Sequence, residues 1–184
     1  MLIKYVTIHA AATYPSMDID VDWIKSIHVN QNGWSDVGYH FFIKRDGELQ
    51  KGRSLDRTGA HVGNNNTGNI GVCMAGGLKE GTKEPEDNFT DQQWITLNKL
   101  LADICESYPQ IVIMGHNGFK GYESRGCPCF DWKSYREWFV GVQKSLYKPD
   151  DWYGYDWHVH QSEHFNLPKD FYSAVDKTPK EGLK

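Results

Sequence analysis

No apolar run in this chain approaches the roughly 20 residues that a membrane-spanning helix needs. The N-terminus, Met1-Leu2-Ile3-Lys4-Tyr5-Val6, lacks the apolar core and small-residue cleavage site of a secretory signal. It reads as a first strand, so the chain is expected to begin almost inside its fold and to be made as a cytosolic protein. Positive charge is not in excess either. Twenty Lys and Arg stand against 24 Asp and Glu, a net charge of −4, which argues against a nucleic-acid binder held by phosphate contacts. Cysteine is sparse: four residues, with no secretory signal, speak against a disulfide framework. No internal repeat or low-complexity segment is visible.

Apolar residues make up 39% of the chain and aromatic ones 14%, enough for one domain whose core can hold a rigid site. Residues 2–9 read as a strand that ends at His9, with its functional end at the C-terminus. Ile19, Trp23, Ile24 and Ile27 recur at helical spacing and predict a short helix over 20–30. An aromatic and β-branched run from Tyr39 to Lys44, the Asp46-Gly47 turn and Glu48-Leu49-Gln50 together predict a β-hairpin over 38–50. Thr58 to Asn69 is polar and glycine-rich, either a surface loop or a groove wall, and 69–75 reads as a buried strand closed by Gly76-Gly77. After a charged loop at 79–88, Thr90 caps a helix. Asp91 and Gln93 lie in its first turn, and Trp94, Leu97, Leu100, Leu101 and Ile104 share one face. A buried strand at 111–114 ends at Gly115-His116. A loop over 117–130 then leads to a third helix at 131–146, with Trp132, Tyr135, Trp138 and Phe139 inward. Strands alternating with helices give the expected fold class: a single α/β domain with a central mixed β-sheet flanked by helices. From Tyr147 the composition turns aromatic and irregular. Residues 147–184 are therefore expected to form an arm that packs on the core or contacts substrate, with His158, His160 and His164 on its surface.

Two sets of side chains carry chemistry. Tyr39 and His40, at the mouth of the hairpin, place a phenol and an imidazole that can work in proton transfer or ion binding. They fit equally well a half-buried strand whose polar tips find backbone partners. Being adjacent on a strand they face opposite sides, which makes His40 a supporting residue. His9 and His116 each end a strand, and Cys127 follows the second by eleven residues. Ligands of N, N and S type leave the fourth position of a tetrahedral zinc open to water, the layout of a catalytic site. Zinc there would lower the pKa of bound water toward about 7 and polarise a carbonyl. Each histidine could also be satisfied locally, and spacing alone does not choose. Cys73 and Cys105, in apolar surroundings, read as buried thiols. Cys127 and Cys129 flank a proline in a loop of Gly, Ser and Arg, where a thiolate can serve as a metal ligand.

Four stretches carry a resemblance: His9-Ala10-Ala11-Ala12-Thr13, Val37-Gly38-Tyr39-His40-Phe41, Ile70-Gly71-Val72-Cys73 and Cys127-Pro128-Cys129-Phe130-Asp131. In order and context they resemble the type-2 N-acetylmuramoyl-L-alanine amidases. Phage amidase endolysins are the nearer likeness and peptidoglycan recognition proteins the more distant, over about residues 3–140. The resemblance implies a zinc amidase domain over 1–146, with Zn2+ held by His9, His116 and Cys127. It implies Tyr39 as the catalytic tyrosine, and His61 and Asn66 in the groove that binds the stem peptide. The implied reaction is hydrolysis of the amide between the lactyl group of N-acetylmuramic acid and the first L-alanine of the stem peptide, in a phage lysis enzyme.

The register Cys-Pro-x-Phe-Asp favours Cys127 over Cys129 as the ligand. Where phage relatives carry a catalytic lysine, this chain has Arg125. Arginine stabilises an oxyanion but does not give up its proton, so Arg125 is expected to act electrostatically, with Lys120 of the same loop as the other candidate. The loop between His116 and Cys127 also looks about three residues longer than in those relatives. Two rival readings stand beside the enzyme. One is a non-catalytic peptidoglycan-binding module, for which an open zinc has no use. The other is a regulatory protein, since some phage relatives bind and inhibit an RNA polymerase. The enzyme is expected to be a monomer of the host cytoplasm, with no membrane association of its own. It would reach the periplasmic cell wall after the membrane is permeabilised.

Overall fold

The computed structural model describes residues 2–146 of the 184. The expected arm at 147–184, with its three histidines, lies outside the described residues. In chain order the elements are β1 (Tyr5–Ala10), α1 (Val21–Asn30), β2 (Phe41–Ile43), β3 (Leu49–Lys51), β4 (Asn69–Met74), α2 (Asp91–Ser107), β5 (Val112–Gly115) and α3 (Trp132–Leu146). The five strands form one sheet in the order β3-β2-β4-β1-β5. β1 pairs in parallel with both β4 and β5, β2 pairs in parallel with β4, and β3 is antiparallel to β2. This is the mixed α/β sheet expected.

The two central strands show why the sheet holds a site. Both are buried along nearly their whole length, as strands covered on two faces must be. Successive side chains alternate between faces. Val6, Ile8, Ala10, Ile70, Val72 and Met74 join Leu97 and Leu101 of α2 and Tyr135 and Phe139 of α3 in the main core. By the same alternation, Thr7, His9, Asn69, Gly71 and Cys73 share the other face. Ile24 of α1 covers part of that face, packing with Val37, Phe42, Cys73 and Ala75 in a second, smaller core. Of the polar residues on that face, Asn69 begins β4 and Thr7 lies midway along β1, while His9 lies near the C-terminal end of β1, the end where ligands of open α/β sheets bind.

The helices begin where their caps place them. Asp20 caps α1, its carboxylate accepting from Trp23 N at 2.8 Å. Thr90 and Gln93 form the capping box of α2. Gln93 also reaches the sheet, donating to Ile43 O at 3.2 Å and Ala75 O at 2.9 Å. One side chain thus caps the helix and ties it to the ends of β2 and β4.

Several expectations are corrected in detail. Trp23 is 37% exposed, because one residue before the buried Ile24 lies 100° away around a helix that buries only a narrow stripe. The hairpin forms around Gly47 (φ 88°), but each strand is three residues long, and Tyr39 and His40 precede β2. β5 starts one residue late. Cys105 and Trp138 pack against the core only half-buried, whereas Cys73 is fully buried. No helix among the described residues is long and apolar enough to cross a membrane.

Candidate metal centre

β1 and β5 are neighbours in the sheet, so their ends bring His9 and His116 together, with ring centroids 4.6 Å apart. The loop after His116 returns Cys127 to the same point. There its Sγ accepts from Ala10 N at 3.3 Å and lies 3.8 Å from His9 Nδ1. One ligand atom from each of the three residues lies within 4.8 Å of the others. Trp132 buttresses this corner. Its indole Nε1 donates to Asn117 Oδ1 at 2.7 Å, and its ring fills the space that a side chain at Gly115 or Gly118 would need.

The donor set fits a zinc ion. Two imidazole nitrogens and a thiol sulfur are the donor types that zinc takes, and one such atom from each residue lies within 4.8 Å of the others. Burial, followed by the charges of His61 and His116, holds the His9 pKa well below its ordinary value. Burial and then the Arg125 charge bring that of His116 to about 4. Both imidazoles are therefore neutral at physiological pH, the form that ligates metal. Burial pushes the Cys127 thiol up to about 12; a coordinated cation reverses that, since a ligating thiol is deprotonated outright. Cys129 is placed elsewhere. It adopts φ 72°, its sulfur lies against Gly77, and it is absent from the convergent group.

Tyr39 stands beside this group, its ring centroid 5.1 Å from that of His9. Burial and then the sulfurs of Cys73 and Cys127 raise its pKa well above the ordinary 10, so the phenol keeps its proton. His40 turns the other way. Its Nδ1 accepts from Gly71 N at 2.9 Å and its Nε2 donates to Arg57 O at 3.1 Å, an assignment forced by the carbonyl acceptor. Arg125 is exposed and lies over the Tyr122 ring, 5.1 Å from its centroid. Tyr122 in turn lies 4.7 Å from His116. The arginine charge lowers the pKa of both His116 and Cys127, so it acts on the centre from outside. Lys120 is exposed on the same loop.

His61 and Asn66 are placed by contacts within their own loop and with the metal-centre residues. His61 is 8% exposed, and its ring packs against that of His9. Asn66 Oδ1 accepts from His61 N and Val62 N, both at 2.8 Å, so the side chain closes its own loop. One residue near the centre escaped the sequence reading. His28 accepts from Gly38 N at 3.0 Å and lies between Trp34 (4.6 Å) and Tyr39 (5.5 Å). Its only signal was its place four residues after Ile24, on the inward face of α1.

Two histidines and a cysteine converging at the carboxyl edge of a mixed sheet, beside a protonated phenol, define a class: an α/β domain with a candidate metal-binding centre. The family model for N-acetylmuramoyl-L-alanine amidase matches residues 1–130, and the chain belongs to that family. With membership comes the family's amidase activity. The chain is similar to the endolysin of Enterobacteria phage K11, at 43% identity over 124 residues, 67% of this chain and 79% of that protein. It is also similar to the endolysin of Escherichia phage T7, at 38% over 132 residues, 72% and 84%. Among solved structures it resembles bumblebee PGRP-SA, with TM-score 0.57 and 25% identity over 70% of this chain and 76% of that one. In fold it also resembles the Ph2119 endolysin of a Thermus scotoductus bacteriophage, with TM-score 0.61, 21% identity, 74% and 84%.

Proposed function

We propose that this amidase is a zinc-dependent phage endolysin that cuts the amide joining N-acetylmuramic acid to L-alanine of the peptidoglycan stem peptide. The observation that carries the reading is the convergence of one ligand atom each from His9, His116 and Cys127 within 4.8 Å of one another. A zinc ion held by these three would supply a Lewis acid for the scissile carbonyl and lower the pKa of a water.

The chain's own residues supply the rest. His9 and His116 present neutral nitrogens. Ala10 N–H, already aimed at the Cys127 sulfur, stabilises negative charge there. Tyr39 enters as a hydrogen-bond donor to the oxygen that gains charge in the transition state; its raised pKa excludes work as a base near neutrality. Arg125 adds a permanent positive charge on the Tyr122 side. It offsets developing negative charge and moves no proton. The substrate lies in the wall of the host cell, which the enzyme reaches after release through the membrane. A binding module without catalysis is disfavoured, since it needs neither three converging ligands nor a protonated phenol beside them.

Digestion of purified peptidoglycan followed by mass spectrometry tests this. The expected products are stem peptides with new L-alanine amino termini and glycan chains carrying free lactyl groups, and a chelator should abolish their release. New sugar reducing ends, or cuts inside the stem peptide, would overturn it.

A further inference from the structure

Behind His9 lies a layered set of side chains that the amide chemistry leaves unused. We propose that His61 is a positioning residue that fixes the tautomer and orientation of His9; the proposal rests on His9 being a zinc ligand. The donors and acceptors admit one assignment. Asn69 O is a carbonyl and only accepts, so His61 Nε2, 3.2 Å away, carries a hydrogen. Neutral His61 then has only a lone pair at Nδ1, and His9 Nε2, 3.0 Å away, donates to it. This leaves His9 Nδ1 with its lone pair facing Cys127 Sγ at 3.8 Å. A metal needs that tautomer, and a hydrogen bond at the far nitrogen is the usual means of setting it.

The support is itself anchored. The Asn69 side chain accepts from the Thr7 hydroxyl at 2.8 Å and donates to Asn65 O at 2.9 Å, which holds the residue whose carbonyl orders the chain. Asn66 clamps the backbone of His61. Space is reserved as well: a Cβ at Gly71 would come within 2.7 Å of the His61 ring, and one at Gly59 within 2.6 Å. Two glycines thus make the seat for one imidazole. A residue that met the stem peptide would turn a ring nitrogen outward, and both nitrogens of His61 are engaged within the protein.

The test reads metal affinity and tautomer on the full chain. Zinc is titrated into metal-free protein against a chromophoric chelator. His61→Leu keeps the bulk and removes the acceptor, and is expected to weaken zinc binding about 10- to 100-fold. His61→Asn places Oδ1 where Nδ1 stood and is expected to recover most of that loss. Side-chain 15N NMR of the metal-free wild type should find His9 protonated at Nε2, a result that stands even if the leucine variant fails to fold. A folded His61→Leu protein that binds zinc within about twofold of wild type would overturn the proposal, as would an asparagine variant no better than leucine. So would a His9 protonated at Nδ1. Absence of zinc binding by the wild type is a different failure, because it removes the ligand reading and the proposal with it.

Discussion

Replacing Tyr39 by phenylalanine removes one oxygen and leaves the ring. The ring lies 5.1 Å from His9 and 5.5 Å from His28, and it packs against the smaller core that contains Val37 and Phe42, so the packing survives the change. What disappears is one proton donor. Burial and then the neighbouring sulfurs keep that proton in place well above pH 10, so the wild-type phenol donates throughout the neutral range. Loss of one oxyanion donor costs about 100- to 1000-fold in kcat, or ~3–4 kcal/mol. Because Tyr39 is only half-buried and water can partly replace it, the expected loss is nearer 100-fold. KM should hardly move, since the interaction forms in the transition state. Folding stability should fall by no more than about 1 kcal/mol, the usual net worth of one hydrogen bond. The assay is steady-state release of amino termini from a soluble muramyl-peptide, at matched zinc content. A Phe variant within about threefold of wild-type kcat would refute the donor role. So would a wild-type rate limb between pH 6 and 9 that the substitution abolishes, because that would mean the phenol titrates.

Three further outcomes follow from named contacts. Arg125→Lys should preserve or raise turnover, because a mobile cation remains, whereas Arg125→Gln should lose about tenfold, or ~1.4 kcal/mol; equal rates for the two in the peptidoglycan assay would remove Arg125 from the mechanism. Gly115→Ala drives a methyl into the Trp132 ring and should cost about 1–3 kcal/mol in denaturant unfolding. It should also weaken zinc binding, since His116 is the next residue; unchanged affinity would break the link between Trp132 and the centre. Thr90→Ala removes half of the capping box and should cost about 1 kcal/mol by the same unfolding measurement, with zinc affinity untouched.

The legible parts of the fold were those with local causes. Thr90 and Gln93 announced the start of α2 because the capping box is written within four residues. His9 was legible as a strand end, and polar alternation on a buried strand, Thr7 and His9 against Val6 and Ile8, marks a face with work to do. Trp23 misled because periodicity identifies a helix without saying how wide a stripe its neighbours cover. The contact of His61 with His9 was not legible: the two are 52 residues apart, and no local period encodes a ring-to-ring contact across a sheet. Cys127 and Cys129 could not be separated by composition. The motif register favoured Cys127, and the folded loop sets its sulfur with His9 and His116 while that of Cys129, at φ 72°, lies against Gly77.

Zinc content of purified Cys127→Ser and Cys129→Ser proteins tests the central claim most directly. Mass-spectrometric metal analysis of the folded variants should find a single zinc ion per chain in wild type and in Cys129→Ser, and none retained by Cys127→Ser. Zinc kept by Cys127→Ser and lost by Cys129→Ser would contradict the account.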